Sequence, residues 1–184
     1  MKLEHVEIET KWNLGNEIEK TRVQQLLKQF GGVKKGSRHE INRIFDNINH
    51  EFELNNNILR LRFIENETKA FLTFKGKPNI IQNLKHRSEL ELAIEDGSTM
   101  EIILGILGYC KVTEYSKNRE TWNISNTEVV IDELPFGLYC EIEGKPTDIK
   151  NISNLLGLKD DQIESRDYAY LSRTLSKISG DLTP

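Results

Sequence analysis

The chain has 184 residues, 37% hydrophobic and 29% charged, with a net charge of -4 at pH 7; that length suits one domain with a sizeable core, and the mild charge excludes an overall basic footprint for duplex nucleic acid. Cys110 and Cys140 have no metal-site spacing and imply no disulfide framework. No apolar run approaches a membrane span and the N-terminus has no hydrophobic signal core, so a soluble, cytoplasmic protein without a membrane partner is expected.

Strand periodicity dominates. The first strand is expected at 3–12, where Glu7, Glu9 and Lys11 share one face and Val6, Ile8 and Thr10 the other. A helix follows at 16–30. Asn16 caps it with Glu19 answering, Val23, Leu26, Leu27 and Phe30 form its apolar stripe, and Gly31-Gly32 ends it. Strands are expected at 39–54, 57–65, 69–77 and 86–95. A helix at 98–107 is capped by Ser98 with Glu101, packs through Met100, Ile103, Ile106 and Leu107, and stops at Gly108. Strands at 110–123, 127–133 and 137–144 precede helices at 148–156 and 166–178, and 179–184 reads as a loose tail. About eight strands joined mostly by short turns argue for an antiparallel sheet or barrel.

Glu7 and Glu9 are like charges on one strand face. At roughly 7 Å their repulsion is about 0.6 kcal/mol in water and about 2.4 kcal/mol at an effective dielectric near 20. The arrangement recurs: Arg60 and Arg62, Lys75 and Lys77, Arg87 with Glu89 and Glu91, Lys117 and Arg119, and Glu141 and Glu143 are each two apart, and Asp132 ends an apolar run. Glu51 and Glu53 read as a surface pair of the same kind. A half-wet sheet explains alternation on any one strand, but it does not explain same-sign pairs on strand after strand. Closing the sheet into a barrel puts these charges inside, where they need partners. Arginine forks suit phosphate, and converging carboxylates suit Mg²⁺ or Mn²⁺. Both sets together point to a metal-bound polyphosphate.

The ordered motifs resemble the CYTH superfamily, the triphosphate tunnel metalloenzymes. Glu7-Ile8-Glu9-Thr10-Lys11 resembles its ExExK signature, and Ile44-Phe45-Asp46, Leu59-Arg60-Leu61-Arg62, Leu72-Thr73-Phe74-Lys75-Gly76 and Arg87-Ser88-Glu89-Leu90-Glu91 resemble later strands in order. Lys117-Asn118-Arg119, Asp132 to Gly137, Glu141-Ile142-Glu143-Gly144 and, loosely, Ser165 to Leu171 complete the set. The C-terminal motif has two extra residues before its tyrosine, so no role passes to Ser165.

The resemblance implies an α+β fold: an eight-stranded antiparallel β-barrel, or tunnel, with flanking helices, over a CYTH-like domain at 1–178. It implies a Mg²⁺ or Mn²⁺ cofactor held among Glu7, Glu9, Glu91, Asp132, Glu141 and Glu143, and a phosphate clamp of Lys11, Arg60, Arg62, Lys75, Arg87, Lys117 and Arg119. Lys11, Glu9 and Arg60 are the implied catalytic residues; Lys77 and Lys85 lie near the tunnel mouth with either a solvated or a functional role. The partner is a triphosphate small molecule (ATP, tripolyphosphate or thiamine triphosphate), and homodimers occur in the family. Class IV adenylate cyclase is the first reading, triphosphatase the alternative, and a non-catalytic polyphosphate- or nucleotide-binding module the third.

Overall fold

Alternating charged and apolar residues favour strands, which keep the two kinds of surface on opposite faces. The computed structural model describes residues 6–67 and 69–175. The strands are β1 (Val6–Asn13), β2 (Val33–Asn47), β3 (Ile58–Ile64), β4 (Ala70–Lys75), β5 (Asn79–Ile81), β6 (Leu84–Ile94), β7 (Tyr109–Ile124), β8 (Thr127–Leu134) and β9 (Gly137–Glu143). Their order is β1-β9-β8-β7-β2-β3-β4-β6, and β6 pairs back onto β1. Eight antiparallel strands thus close a barrel and leave no edge in the ring. The closing register sets Glu7 opposite Arg87 and Glu9 opposite Lys85. The short β5 lies outside the ring on β6, with Asn79 opposite His86.

Two of three apolar clusters lie outside the barrel wall, and the third lies where the last helix meets the cavity. Val23 and Leu27 of α1 (Glu17–Gln29) and Ile149 and Ile152 of α4 (Pro146–Leu155) pack on Trp12, Val129, Ile131, Cys140 and Ile142. A second cluster joins Leu104 of α3 (Gly97–Ile106) to Phe45, Leu59 and Leu61, with Phe52 of α2 (Glu51–Leu54) against it. The third seats α5 (Tyr168–Leu175) on Ile44, Tyr115, Leu134 and Tyr139 through Tyr168, Ala169 and Leu171. In the first two clusters apolar residues turn outward to the helices, which leaves the alternate, charged positions facing in, while Ile44 and Tyr115 of the third face the cavity beneath α5.

Several boundaries differ from expectation. The strand expected at 39–54 runs Val33–Asn47 instead. It stops because the Asp46 carboxylate accepts from the backbone N–H groups of Asn47, Phe52 and Glu53, and His50 takes a left-handed φ of 54°. Glu51 and Glu53 therefore sit on a helical turn rather than a strand face, and Glu53 pairs with Arg173 at 2.9 Å. Asn16 caps α1 by accepting from Glu19 N, but the Glu19 carboxylate accepts from Arg22 Nε at 2.9 Å and does not return to the cap. In α3 the cap is Asp96, not Ser98, and Glu101 reaches Arg43 at 2.5 Å. Its inward face is set by Gly97, Met100 and Leu104. A Cβ at Gly97 would lie 2.5 Å from the Phe63 ring. Ile103, Ile106 and Leu107, expected to pack, are exposed. Residues 3–5 of the first expected strand, 176–178 of the last helix and the tail 179–184 lie outside the described residues. Among those described, no helix is long and apolar enough to cross a membrane.

Candidate active site inside the barrel

The barrel encloses a cavity of about 490 Å³, lined by eight basic and eight acidic side chains. The equal numbers matter because the two signs are not evenly mixed.

One side of the wall is a closed charge network. Arg119 grips Asp132 through Nε at 2.7 Å and a terminal nitrogen at 2.5 Å, and reaches Glu141 at 2.8 Å. Lys117 donates to Asp132 at 3.0 Å and lies 3.7 Å from Glu40. Glu40 also pairs with Arg38 at 2.6 Å and Arg62 at 3.5 Å. Burial alone would raise the Asp132 acid, but Arg119 and Lys117 hold it down at about 2. The same balance, with Lys117, Arg119, Arg62 and Arg38 as the cations, keeps Glu40 well below the usual carboxylate range. Burial and the neighbouring Arg119 lower the Lys117 ammonium to about 8, against the pull of Asp132 and Glu40. Asp132 is wholly buried behind the lining and both its oxygens are taken up by these cations.

Arg60 and Arg62 project from β3 across Glu91 on β6. Arg62 reaches Glu91 at 2.9 Å, and Arg60 reaches it at 3.4 Å and the Thr73 hydroxyl at 3.1 Å. Lys75 from β4 bridges Glu7 and Glu89, each at 2.8 Å. Burial opposes its charge, but Glu7 and Glu9 raise its pKa well above the usual lysine range. Asn42 stands between Arg62 and Tyr115 in the register and is buried, with both ends of its amide unpartnered among the described residues.

The opposite sign collects where β8, β9 and β1 run side by side. Glu128 faces Glu143, and Glu143 faces Glu9, in one cross-strand row. Among the described residues Glu143 has neither a hydrogen bond nor an ion pair, and burial with Glu7, Glu128 and Glu9 nearby pushes its acid up to about 7. Among the described residues no three acidic, histidine or cysteine side chains converge as a ready cation cage. Mg²⁺ does not require one, because it binds through one or two carboxylates while waters and substrate phosphates complete its shell. Glu9 and Glu143 offer that donor chemistry: hard oxygens facing the cavity with excess negative charge. Glu141, pushed up by burial and Glu9, already leans on Arg119, and its other oxygen is 4.0 Å from Lys11.

The segment leading into α5 supplies the last part of the wall. Lys11 donates to the carbonyl of Arg166 at 2.5 Å, and its Nζ sits 4.1 Å from the Tyr168 ring centre. Asp167 pairs with Lys85 and, at 2.9 Å, with Arg87.

The cavity thus gathers Glu7, Glu9, Lys11, Arg60, Arg62, Lys75, Glu91, Lys117, Arg119, Glu141 and Glu143, together with Lys85 and Glu89. Arg87 and Asp132, expected in the lining, lie behind it; Arg87 is 2% exposed, with its nitrogens committed to Gly76 O, Asn56 O and Asp167. Sequence reasoning passed over Arg38, Glu40 and Asn42, which alternate along β2, and that period-two pattern was the available signal. Lys85 is in phase with Arg87, Glu89 and Glu91 and was legible in the same way. Asp167 lies in no strand, so no periodicity marks it.

Fold and site together define a closed β-barrel with a charged interior. The CYTH domain family matches residues 5–158, and the chain belongs to that family. A Methanocaldococcus jannaschii protein named "Putative adenylate cyclase" is 31% identical over 154 residues, covering 82% of this chain and 83% of that one. Two solved structures share the fold. A Pyrococcus horikoshii protein has a TM-score of 0.76 at 22% identity, covering 90% of this chain and 98% of its own. A Hippeastrum protein, described as a "Putative adenylyl cyclase" with a dominant triphosphatase activity, has a TM-score of 0.68 at 20% identity, covering 97% and 98%.

Proposed function

We propose that this chain is a divalent-metal-dependent enzyme acting on a triphosphate held in the barrel. The observation that carries the reading is the segregated lining. A bare polyanion would satisfy Arg60, Arg62, Lys75, Lys117 and Arg119 but face the carboxylate row of Glu9, Glu128 and Glu143. A bare cation would meet the acidic row but give the arginine forks of Arg60, Arg62 and Arg119 no phosphate oxygens. A metal-bound triphosphate carries both signs and answers both.

Arginine forks at 60, 62 and 119 and the ammonium groups of Lys75 and Lys117 would hold the phosphate oxygens. Glu9 and Glu143 would hold the cation, with Glu7 and Glu141 flanking them. Mg²⁺ or Mn²⁺ bound there would neutralise phosphate charge and polarise the oxygens of the phosphorus under attack. We assign Glu9, Lys11 and Arg60 to the reacting phosphorus. Glu9 adjoins the acidic row, and Lys11 and Arg60 bring cations from well-separated strands of the ring.

Two reactions fit this arrangement. In the first, the ribose 3′-oxygen of ATP attacks the α-phosphorus and pyrophosphate leaves. It is favoured by the name of the Methanocaldococcus relative and by an apolar corner of Ile44, Ile58 and Ala169 beside Tyr115, where a nucleoside finds uncharged wall. In the second, water attacks the terminal phosphorus, a reading favoured by the activity given for the Hippeastrum protein. Incubating the pure protein with ATP, tripolyphosphate or thiamine triphosphate and either metal separates them. Cyclic AMP with pyrophosphate identifies the cyclase, and orthophosphate the hydrolase. Absence of turnover on every substrate with both metals overturns the enzymatic reading, and binding without turnover identifies a binding module.

A further inference from the structure

We propose that two copies of this chain associate through one bare apolar face of the outer barrel wall, built by β4, β6 and α3. The inference concerns a surface outside the cavity and stands or falls independently of the reaction proposed above.

The outer wall is covered unevenly. Helices α1 and α4 pack on β1, β8 and β9, and α2 and α3 pack on β2 and β3. Among the described residues, two further stretches of wall remain open, and they differ in chemistry. Along β2 and β7 the outward pairs are polar, His39 with Asn118 and Arg43 with Glu114. Along β4 and β6 they are apolar: Leu72 faces Leu92, and Phe74 faces Leu90. Leu72 and Phe74 form a half-buried floor, while Leu90 and Leu92 stand exposed, Leu92 by 64%. A sheet face kept for water carries the first kind of surface; the second kind marks a contact.

Helix α3 extends this face. Its Glu101 reaches Arg43 on β2, so the opposite flank, with Ile103 and Leu107, lies towards β4 and β6. Ile102 and Ile106 on its outer side are exposed as well, Ile106 by 80%. The exposed parts of these six leucines and isoleucines come to roughly 600 Å², at the top of the range for the largest apolar patch of a monomer. With the floor and a charged border the face approaches the roughly 800 Å² that each partner gives to a standard interface.

The border points to a second copy as the occupant. It has no excess of one sign: Lys69 and Glu95, just beyond β4 and β6, pair with each other at 3.2 Å and are both exposed, and Glu101 is taken up by Arg43. A strongly acidic or basic partner finds no counterpart there. A second copy brings the same apolar area, and a two-fold arrangement offers Lys69 of each chain the Glu95 of the other.

Sedimentation equilibrium of the full chain between about 1 and 100 µM tests this. The wild-type protein is expected to reach twice the chain mass and stop there. Ile106→Glu and, on a different element, Leu92→Glu should each raise the dissociation constant at least about 100-fold, because the two-fold axis buries every added charge twice. Both positions are exposed, so far-UV circular dichroism should match wild type, and either variant suffices if the other fails to fold. Ile18→Glu, on the outer side of α1 and 79% exposed, should leave the dimer intact. A wild-type protein that stays monomeric at 100 µM overturns the proposal, whatever else the face binds. Growth into open polymers overturns the two-fold arrangement. Unchanged dimerisation in folded Ile106→Glu and Leu92→Glu proteins, or an equal loss in Ile18→Glu, overturns the choice of this face.

Discussion

Asp132 on β8 and Glu143 on β9 are carboxylates of one barrel wall in opposite surroundings. Asp132 is fully enclosed, and Arg119 and Lys117 account for both its oxygens. Glu143 faces the cavity beside Glu9 and Glu128, with neither a hydrogen bond nor an ion pair among the described residues. A buried charge that is fully partnered mainly holds neighbouring groups in place; one left beside like charges needs a cation from outside the chain. The two acids titrate on opposite sides of their ordinary values for this reason, near 2 and near 7.

The comparison can be broken first at Asp132. Asp132→Ala leaves Lys117 and Arg119 buried without their main partner, which costs about 3–5 kcal/mol of stability. Urea unfolding should show the loss, and a near-neutral result would mean the network is not structural. Glu143→Gln should do the reverse. Turnover of the preferred triphosphate falls by at least about 100-fold, since even indirect metal partners are worth 10–100-fold. The melting temperature should hold or rise, because a like charge has been removed. Full activity in that variant would remove Glu143 from the cation site.

Acidity sharpens the same contrast. The folded acid of Asp132, near 2, lies below its ordinary 3.8, so its contribution to stability is present above that value and is lost as pH falls through 2. Glu143 has the opposite sign. Its folded acid near 7 lies above the ordinary 4.5, so without a cation the protein loses stability as pH rises from 4.5 through 7. Thermal melting of the metal-free protein should therefore peak on the acid side of neutrality, and Glu143→Gln should flatten the decline towards pH 7. A wild-type melting curve still rising between those two values would contradict the charge assignment. The smallest effect is a control outside the barrel. Asn16→Ala removes the α1 cap, where the side chain accepts from Glu19 N at 3.0 Å, and should cost about 1 kcal/mol. Its turnover should match wild type; a large loss would show that the helices outside the barrel wall are coupled to the site.

Much of this was legible in the sequence because a strand repeats every two residues. Glu7, Glu9 and Lys11, Arg60 and Arg62, and Glu141 and Glu143 could be assigned to one face each, and the apolar residues between them to the other. The same rule failed at Glu51 and Glu53, whose spacing suits a strand but whose backbone is turned into a helix by the Asp46 carboxylate and the left-handed His50. It also failed on α3, where several large apolar residues allowed more than one inward stripe, and close packing at Gly97 selected the one with Met100 and Leu104.

Periodicity and the ordered motifs therefore determined the strands, the charged face and the family. Only the tertiary structure decided which charges are spent on one another. Arg87 and Asp132 have the same period-two spacing as their cavity-facing neighbours, yet both lie behind the lining. Arg87 meets Asp167 only through the docking of α5, whereas Asp132 meets Lys117 and Arg119 across the β7–β8 pair, where register decides the match. Asp167, expected within the helix at 166–178, instead lies just before α5 and on no strand, so strand periodicity does not mark it as part of the lining. It became part of the site when Ala169 and Leu171 buried themselves against the barrel and left the carboxylate facing Lys85.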